Sequence, residues 1–157
     1  LMSLKDGPKL FEFNVRFGDP VCQALCARLN GDLLPALMAT ADKGLADVEL
    51  QWRDETALVV VMAAQGYPGA YEKNTAIKGL DAAAAIDDVL AFHASTKREG
   101  DTVLATGGRV LGITGLGKTV KQAQKKAYSG VDAIDWPQGF CRSDIGWRAV
   151  KREEQGQ

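Results

Sequence analysis

The 157-residue chain carries 19 lysines and arginines against 20 aspartates and glutamates, a formal net charge of −1, and that balance excludes a nucleic-acid binder working through bulk positive charge. With 46% hydrophobic and 25% charged residues, it reads as an ordinary globular chain of about one domain. Its longest apolar run, Ala57–Ala64, is far short of a membrane span, and an odd count of three cysteines, Cys22, Cys26 and Cys141, excludes a small disulfide scaffold and points to reduced, mostly buried thiols in a cytoplasmic protein.

In chain order, Met2–Lys5 and Lys9–Phe17 flank the turn triplet Asp6-Gly7-Pro8, which predicts a β-hairpin. Its second arm alternates, with Phe11, Phe13, Val15 and Phe17 on one face and Leu10, Glu12, Asn14 and Arg16 on the other. Asp19-Pro20 reads as an N-cap followed by the first helical residue, opening a helix to about Leu29. Asp32 caps a second helix to about Lys43, with Gly44 as its stop. From Val48 the texture turns β-rich, which marks the expected boundary between two parts. Strands are predicted at 48–52, 58–64, 89–94, 102–106 and 109–114, with one short Ala-rich helix over 80–88. Thr119 and Gln122 form a capping-box pattern. Behind it Val120, Ala123, Ala127, Val131 and Ile134 make a helical stripe. Tyr67, Trp52, Trp136 and Trp147 are expected to pack, and Glu153–Gln157 to fray.

Gly112-Ile113-Thr114-Gly115-Leu116-Gly117-Lys118-Thr119 fits the phosphate-binding loop pattern letter for letter. Its surroundings argue against that function. A nucleotide-binding α/β domain needs further parallel strands behind the loop's helix, one ending in an acidic Mg²⁺ partner, and no such strand follows Thr119. A tight glycine turn into a capped helix is the expected structure.

Two polar groups have more chemical content. Glu12 and Asn14 stand two apart on the predicted strand, so their oxygens point the same way, as a hard cation such as Mg²⁺ requires. Arg16 adds a fork for phosphate or carboxylate on the same face, and Asp19 follows. The same pattern also describes a solvated outer face. Farther on, Arg109 leaves a Gly-Gly turn where backbone and guanidinium can approach a phosphate together, and Lys97 is a second candidate for phosphate contact. Arg109 has a competing use, an ion pair with Asp144 or Glu153. His93, the single histidine, is expected to be structural.

The run Glu12-Phe13-Asn14-Val15-Arg16-Phe17-Gly18-Asp19-Pro20 resembles the signature of the phosphoribosylamine–glycine ligase family. Four later blocks resemble it in the same order: Val59–Gly69, Phe92–Lys97, Thr106–Leu111 and Asp144–Ala149. Two departures stand out: Val21 where the family usually has Glu, and Ser95 where it usually has Gly.

The resemblance implies an α+β chain in two parts. Residues 1–47 would be the C-terminal end of an ATP-grasp domain, a hairpin plus helices. Residues 48–152 would be a small β-rich C-terminal domain with mainly antiparallel strands and one long helix, and 153–157 a frayed tail. It implies an ATP-dependent carbon–nitrogen ligase of purine biosynthesis, joining glycine to 5-phosphoribosylamine to give glycinamide ribonucleotide, ADP and phosphate. Glu12 and Asn14 match metal ligands for Mg²⁺ (or Mn²⁺), with ATP as co-substrate, and Arg16 and Asp19 match catalytic, substrate-side residues. The remaining N-terminal part of the enzyme is the expected partner, with no nucleic acid and no membrane, and the piece alone is expected to be inactive. A free-standing non-catalytic domain, binding a phosphorylated metabolite or a partner chain, is the alternative.

Overall fold

The computed structural model describes residues 2–10, 13 and 15–156. All strand pairs are antiparallel. The order along the chain is β1 (Met2–Leu4), β2 (Gly7–Lys9), α1 (Val21–Arg28), α2 (Leu34–Ala41), a 3₁₀ turn at Leu45–Asp47, β3 (Thr56–Ala64), β4 (Thr75–Ile77), α3 (Leu80–Ala84), β5 (Val89–His93), β6 (Thr96–Glu99), β7 (Thr102–Ala105), β8 (Arg109–Gly117), α4 (Val120–Asp132), β9 (Gly139–Cys141) and α5 (Trp147–Glu154). The mixed α+β architecture with antiparallel strands and one long helix agrees with the sequence reading.

The centre is a four-stranded sheet in the order β5-β8-β3-β9, and β4-β7-β6 form a second sheet. Apolar residues of β3, β5, β7 and β8, with Ile77 and Trp136, make the larger buried cluster. Leu58 and Val60 of β3 bury against Ala123 and Ala127 of α4. Pairing of Val60 with Ile113 and of Leu58 with Gly115 puts these residues on one face, and α4 covers it. Val59 and Gly112 lie on the opposite face, where the side chain of Gln23 on α1 approaches Gly112. The central sheet is therefore covered by α4 on one side and α1 on the other. Close approach of α4 depends on two glycines: a Cβ at Gly115 or Gly117 would run into the helix backbone around Ala123.

The sequence missed four elements: β4, β6, β9 and α5. The first three are short edge strands of three or four residues, with too few positions to show a period of two. The fourth has no buried residue, and its charged composition reads as a tail. It is held by partners far away in sequence. The Glu153 carboxylate accepts from the backbone N–H groups of Val120 (2.9 Å) and Lys121 (3.2 Å), and Lys121 pairs with Glu154 at 2.8 Å. Glu153 and Glu154 are thus helical, not frayed.

Other expectations change in detail. The hairpin exists but turns at Lys5-Asp6, with its second strand only Gly7–Lys9. The long alternating arm does not form in its described part: Phe13 is 83% and Val15 99% exposed. Asp19 makes no cap bond to α1, because its carboxylate is engaged elsewhere. Residues 48–52 form no strand; the segment lies along the end of α1, where Asn30 N–H donates to the Gln51 carbonyl and Arg53 N–H to that of Arg28. The Asp32 carboxylate does accept from Leu34 N–H at the start of α2. Trp136 is buried and donates to the Thr75 hydroxyl at 2.9 Å, whereas Trp52 and Trp147 are about half exposed. The thiols are free and not mostly buried: Cys26 is exposed, Cys22 and Cys141 half-buried.

Candidate functional site

Three turns meet at one end of the central sheet. After β5, Ala94 N–H donates to the Val110 carbonyl and the Ser95 carbonyl accepts from Thr106 N–H. After β3, Ala64 N–H donates to the Gly108 carbonyl, and the Tyr67 ring lies where a Cβ at Gly108 would sit. Ser95 fills the space beside Gly107 in the same manner. The glycines here let the 65–69, 93–96 and 106–109 turns pack backbone against side chain without a gap.

Arg109 is the first residue of β8, at this same end. Its Nη2 donates to Asp19 Oδ2 at 2.7 Å. Asp19 immediately precedes the Pro20 that leads into α1, and one turn later Gln23 Nε2 donates to Asp19 Oδ1 at 3.4 Å. The Gln23 Oε1 is buried with no hydrogen-bond partner among the described residues. Both charged side chains are about half exposed, so the ion pair contributes only about 0.2–1 kcal/mol to folding. Its geometry matters more than its energy. It ties the segment before α1 to the turn end of the sheet across 90 residues of sequence. The Arg109 guanidinium has five N–H donors, and this contact uses one of them.

The remaining candidates divide. Arg16 is exposed, and its Nη1 donates to the Phe17 carbonyl at 2.9 Å. Lys97 stands on β6 next to the 93–96 turn but pairs with Glu99 at 2.7 Å. His93 Nδ1 is 2.9 Å from the Thr96 hydroxyl, a contact across the same turn. Glu12 and Asn14 lie outside the described residues. Among the described residues there is no group of three or more His, Cys, Asp or Glu able to hold a metal ion. The structure therefore brings Asp19 and Arg109 together, while Lys97, on β6 of the second sheet, is already paired with Glu99.

Arg109 uses neither carboxylate first weighed for it. Asp144 accepts from Arg142 Nε and Nη2 at 2.9 and 2.7 Å; these hydrogen bonds hold the Asp144 carboxyl below its ordinary range and push the Arg142 guanidinium up. Glu153 caps α4. The start of the block Asp144–Ala149 is tied to α4 and β3. Gln124 Nε2 donates to the Ile145 carbonyl, the Tyr128 hydroxyl accepts from Ile145 N–H and donates to the Arg142 carbonyl, and Gly146 lies against Leu58. Burial pushes the Tyr128 hydroxyl up, so it stays protonated and keeps its donor role across the neutral range. Gln23 was not foreseen, although its four-residue spacing from Asp19 fits a helix start.

The phosphate-loop pattern is not a loop. Gly112 to Gly117 are strand residues of β8, paired with β3 on one side and, through Gly115, with β5 on the other. Their N–H groups serve the sheet and cannot cradle phosphate. The start of α4 is occupied as well: Thr119 Oγ1 accepts from Gln122 N–H, Gln122 Oε1 from Lys118 N–H, and Glu153 takes the next two donors. The capped helix was foreseen, and the glycine turn before it is a strand.

Residues 57–148 match the family described as phosphoribosylglycinamide synthetase, C domain. The chain belongs to this family. It is 56% identical over 153 residues to the phosphoribosylamine–glycine ligase of Mesorhizobium japonicum, covering 98% of this chain and 36% of that protein. The chloroplastic phosphoribosylamine–glycine ligase of Arabidopsis thaliana is 51% identical over 149 residues, 94% of this chain and 28% of that one. The crystal structure of phosphoribosylamine–glycine ligase from Thermotoga maritima superposes with a TM-score of 0.69 at 29% identity, covering 92% of this chain and 35% of the other. The chain thus spans about a third of the length of the ligases it matches. Among the described residues no helix is long and apolar enough to cross a membrane.

Proposed function

We propose that the chain supplies the substrate-phosphate side of a cytoplasmic, ATP-dependent phosphoribosylamine–glycine ligase, with the upstream part of that enzyme supplying the rest. The observation that carries this is the Asp19–Arg109 pair at the end of the sheet where the three turns meet. Arg109 presents its unused donors to the substrate phosphate, and Asp19, steadied by Gln23, holds the guanidinium plane in place. A guanidinium fixed on one edge offers a preorganised fork to phosphate oxygens, which a mobile ammonium does not. Lys97 joins the same phosphate only by leaving Glu99.

Glu12 and Asn14 offer a carboxylate and an amide oxygen, the hard donors Mg²⁺ takes, and they are the residues that would hold it. When bound, the ion neutralises charge on the ATP phosphates. The part played by this chain is positioning and charge stabilisation. Residues 1–47 belong with the ATP-grasp part, residues 48–152 with the C domain. Support for an upstream partner comes from the apolar surface near the start of the chain: Phe13, Val15, Leu34, Leu37 and Met38 are all exposed, an unusual concentration for a free-standing unit.

A chimera tests this reading. The matching C-terminal portion of the Mesorhizobium japonicum ligase is replaced by this chain, and ATP-dependent glycinamide ribonucleotide formation is measured. Turnover in the chimera with none from the 157-residue chain supports the proposal. A folded chimera without turnover, or turnover by the chain alone, contradicts it.

A further inference from the structure

Cys22 and Cys26 stand one turn apart on α1 with their Sγ atoms 3.8 Å apart. Both line a groove of about 270 Å³ whose other walls are apolar, among them Phe17, Leu29, Leu33 and Trp52. Two thiolates bound to one tetrahedral centre at about 2.3 Å each are themselves about 3.8 Å apart. The narrower angle at a pyramidal trivalent centre draws the sulfurs slightly closer than this, so the pair closes on a single thiophilic atom by small side-chain rotations on the intact helix. A linear two-coordinate ion holds its sulfurs on opposite sides and needs them farther apart. A structural zinc site needs four protein ligands, and among the described residues no third metal-holding side chain joins this pair. Trivalent organoarsenic is satisfied by two sulfurs and one carbon, and the carbon substituent has the apolar groove to enter.

We propose that Cys22 and Cys26 form a chelating dithiol site for aryl arsenic(III) compounds, with the aryl group in the groove walled by Leu29 and Trp52. The step balances without a redox partner. An arylarsonous acid, ArAs(OH)₂, exchanges its two As–O bonds for two As–S bonds; each thiol proton leaves with a hydroxide, two waters form, and arsenic stays trivalent. Reactivity toward ordinary single-thiol reagents is low at Cys22, since burial, the Cys26 contact and Asp19 raise its pKa and keep it a protonated, weak nucleophile. Chelation overcomes this because the second As–S bond is intramolecular, which strengthens binding by about 10² to 10⁴. The site is independent of the ligase reading and is testable on the 157-residue chain itself.

The test uses phenylarsine oxide, followed by intact mass spectrometry and peptide mapping. The expected result is one adduct per chain, a C₆H₅As group replacing two thiol hydrogens, retained in excess monothiol and removed by a small dithiol. Cys22→Ser and Cys26→Ser should each weaken retention at least about a hundredfold, while Cys141→Ser binds as the parent does. Circular dichroism and melting confirm that each variant is folded. The proposal is overturned if either single variant retains the adduct as the parent does, if the adduct maps to Cys141, or if monothiol strips the parent as readily as the variants.

Discussion

Residues before Thr56 and residues from Thr56 onward are about equally rich in apolar side chains but use them differently. From Thr56 the apolar residues of the strands close on one another and on α4 in two buried clusters. Before it, α1 and α2 each have a single buried residue, Ala27 and Ala36, while Leu34, Leu37 and Met38 face outward. The difference lies in whether a described element covers the apolar face. An amphipathic pattern specifies which face must be covered and says nothing about what covers it. The later region carries its own partners, and the early region leaves apolar faces exposed, which under the proposed function pack against the upstream part of the ligase.

Breaking this contrast should give the largest effect in the larger buried cluster. Trp136→Ala should cost about 3–5 kcal/mol, the usual penalty for emptying a large aromatic site, and also leaves the Thr75 hydroxyl without its donor. Urea denaturation checks it. The matched change on the outward face, Leu37→Ala, should shift stability of the isolated chain by no more than about 0.5 kcal/mol. If Leu37→Ala costs as much as Trp136→Ala, the two regions do not differ as described.

Gly115→Ala comes next. Its Cβ would meet the backbone of α4 near Ala123 and Ala127, so helix and sheet must separate. Overpacking of this kind costs about 1–3 kcal/mol, read as a lower unfolding midpoint with the slope unchanged. A phosphate-loop glycine would instead affect nucleotide binding and leave folding alone.

Legibility follows the same division. The start of α4 was readable because Thr119 and Gln122 are three residues apart and the capping bond is local. The arm through Phe13 and Val15 misled because a period of two marks a strand only when a partner strand is present. Helix α5 was missed since its fixing contacts, Glu153 to Val120 and Lys121, span more than 30 residues. Asp19 and Arg109 were each singled out, but by resemblance to a family and by turn chemistry. That they pair with one another, 90 residues apart, was not written in either neighbourhood.

Glu153→Gln should sharpen the point about α5. It keeps the size but removes the charge at the helix start, for a loss of about 1 kcal/mol and faster amide exchange at Val120 and Lys121. Unchanged exchange there would mean that α5 is not held by this cap.

The smallest effect concerns acid. Hydrogen bonds from Arg142 depress the Asp144 carboxyl, so its contribution is full above the ordinary carboxylate range and is lost as pH falls through the lower folded value. In parent and Asp144→Asn proteins, the gap in melting temperature should be constant near neutrality and close only in strong acid. A gap that closes between pH 6 and 5 would contradict the assignment.

The most direct test of the central claim is Arg109→Lys in the active chimera, with ATP, glycine and phosphoribosylamine varied in turn. Lysine keeps the charge but loses the fork; a lost charge-assisted hydrogen bond is worth about 1.5–3 kcal/mol, which corresponds to roughly tenfold or more. The expected result is a KM for phosphoribosylamine raised by that factor, with the KM values for ATP and glycine unchanged. An unchanged KM for phosphoribosylamine together with a lower melting temperature would make Arg109 and Asp19 a structural clamp only and remove them from the site.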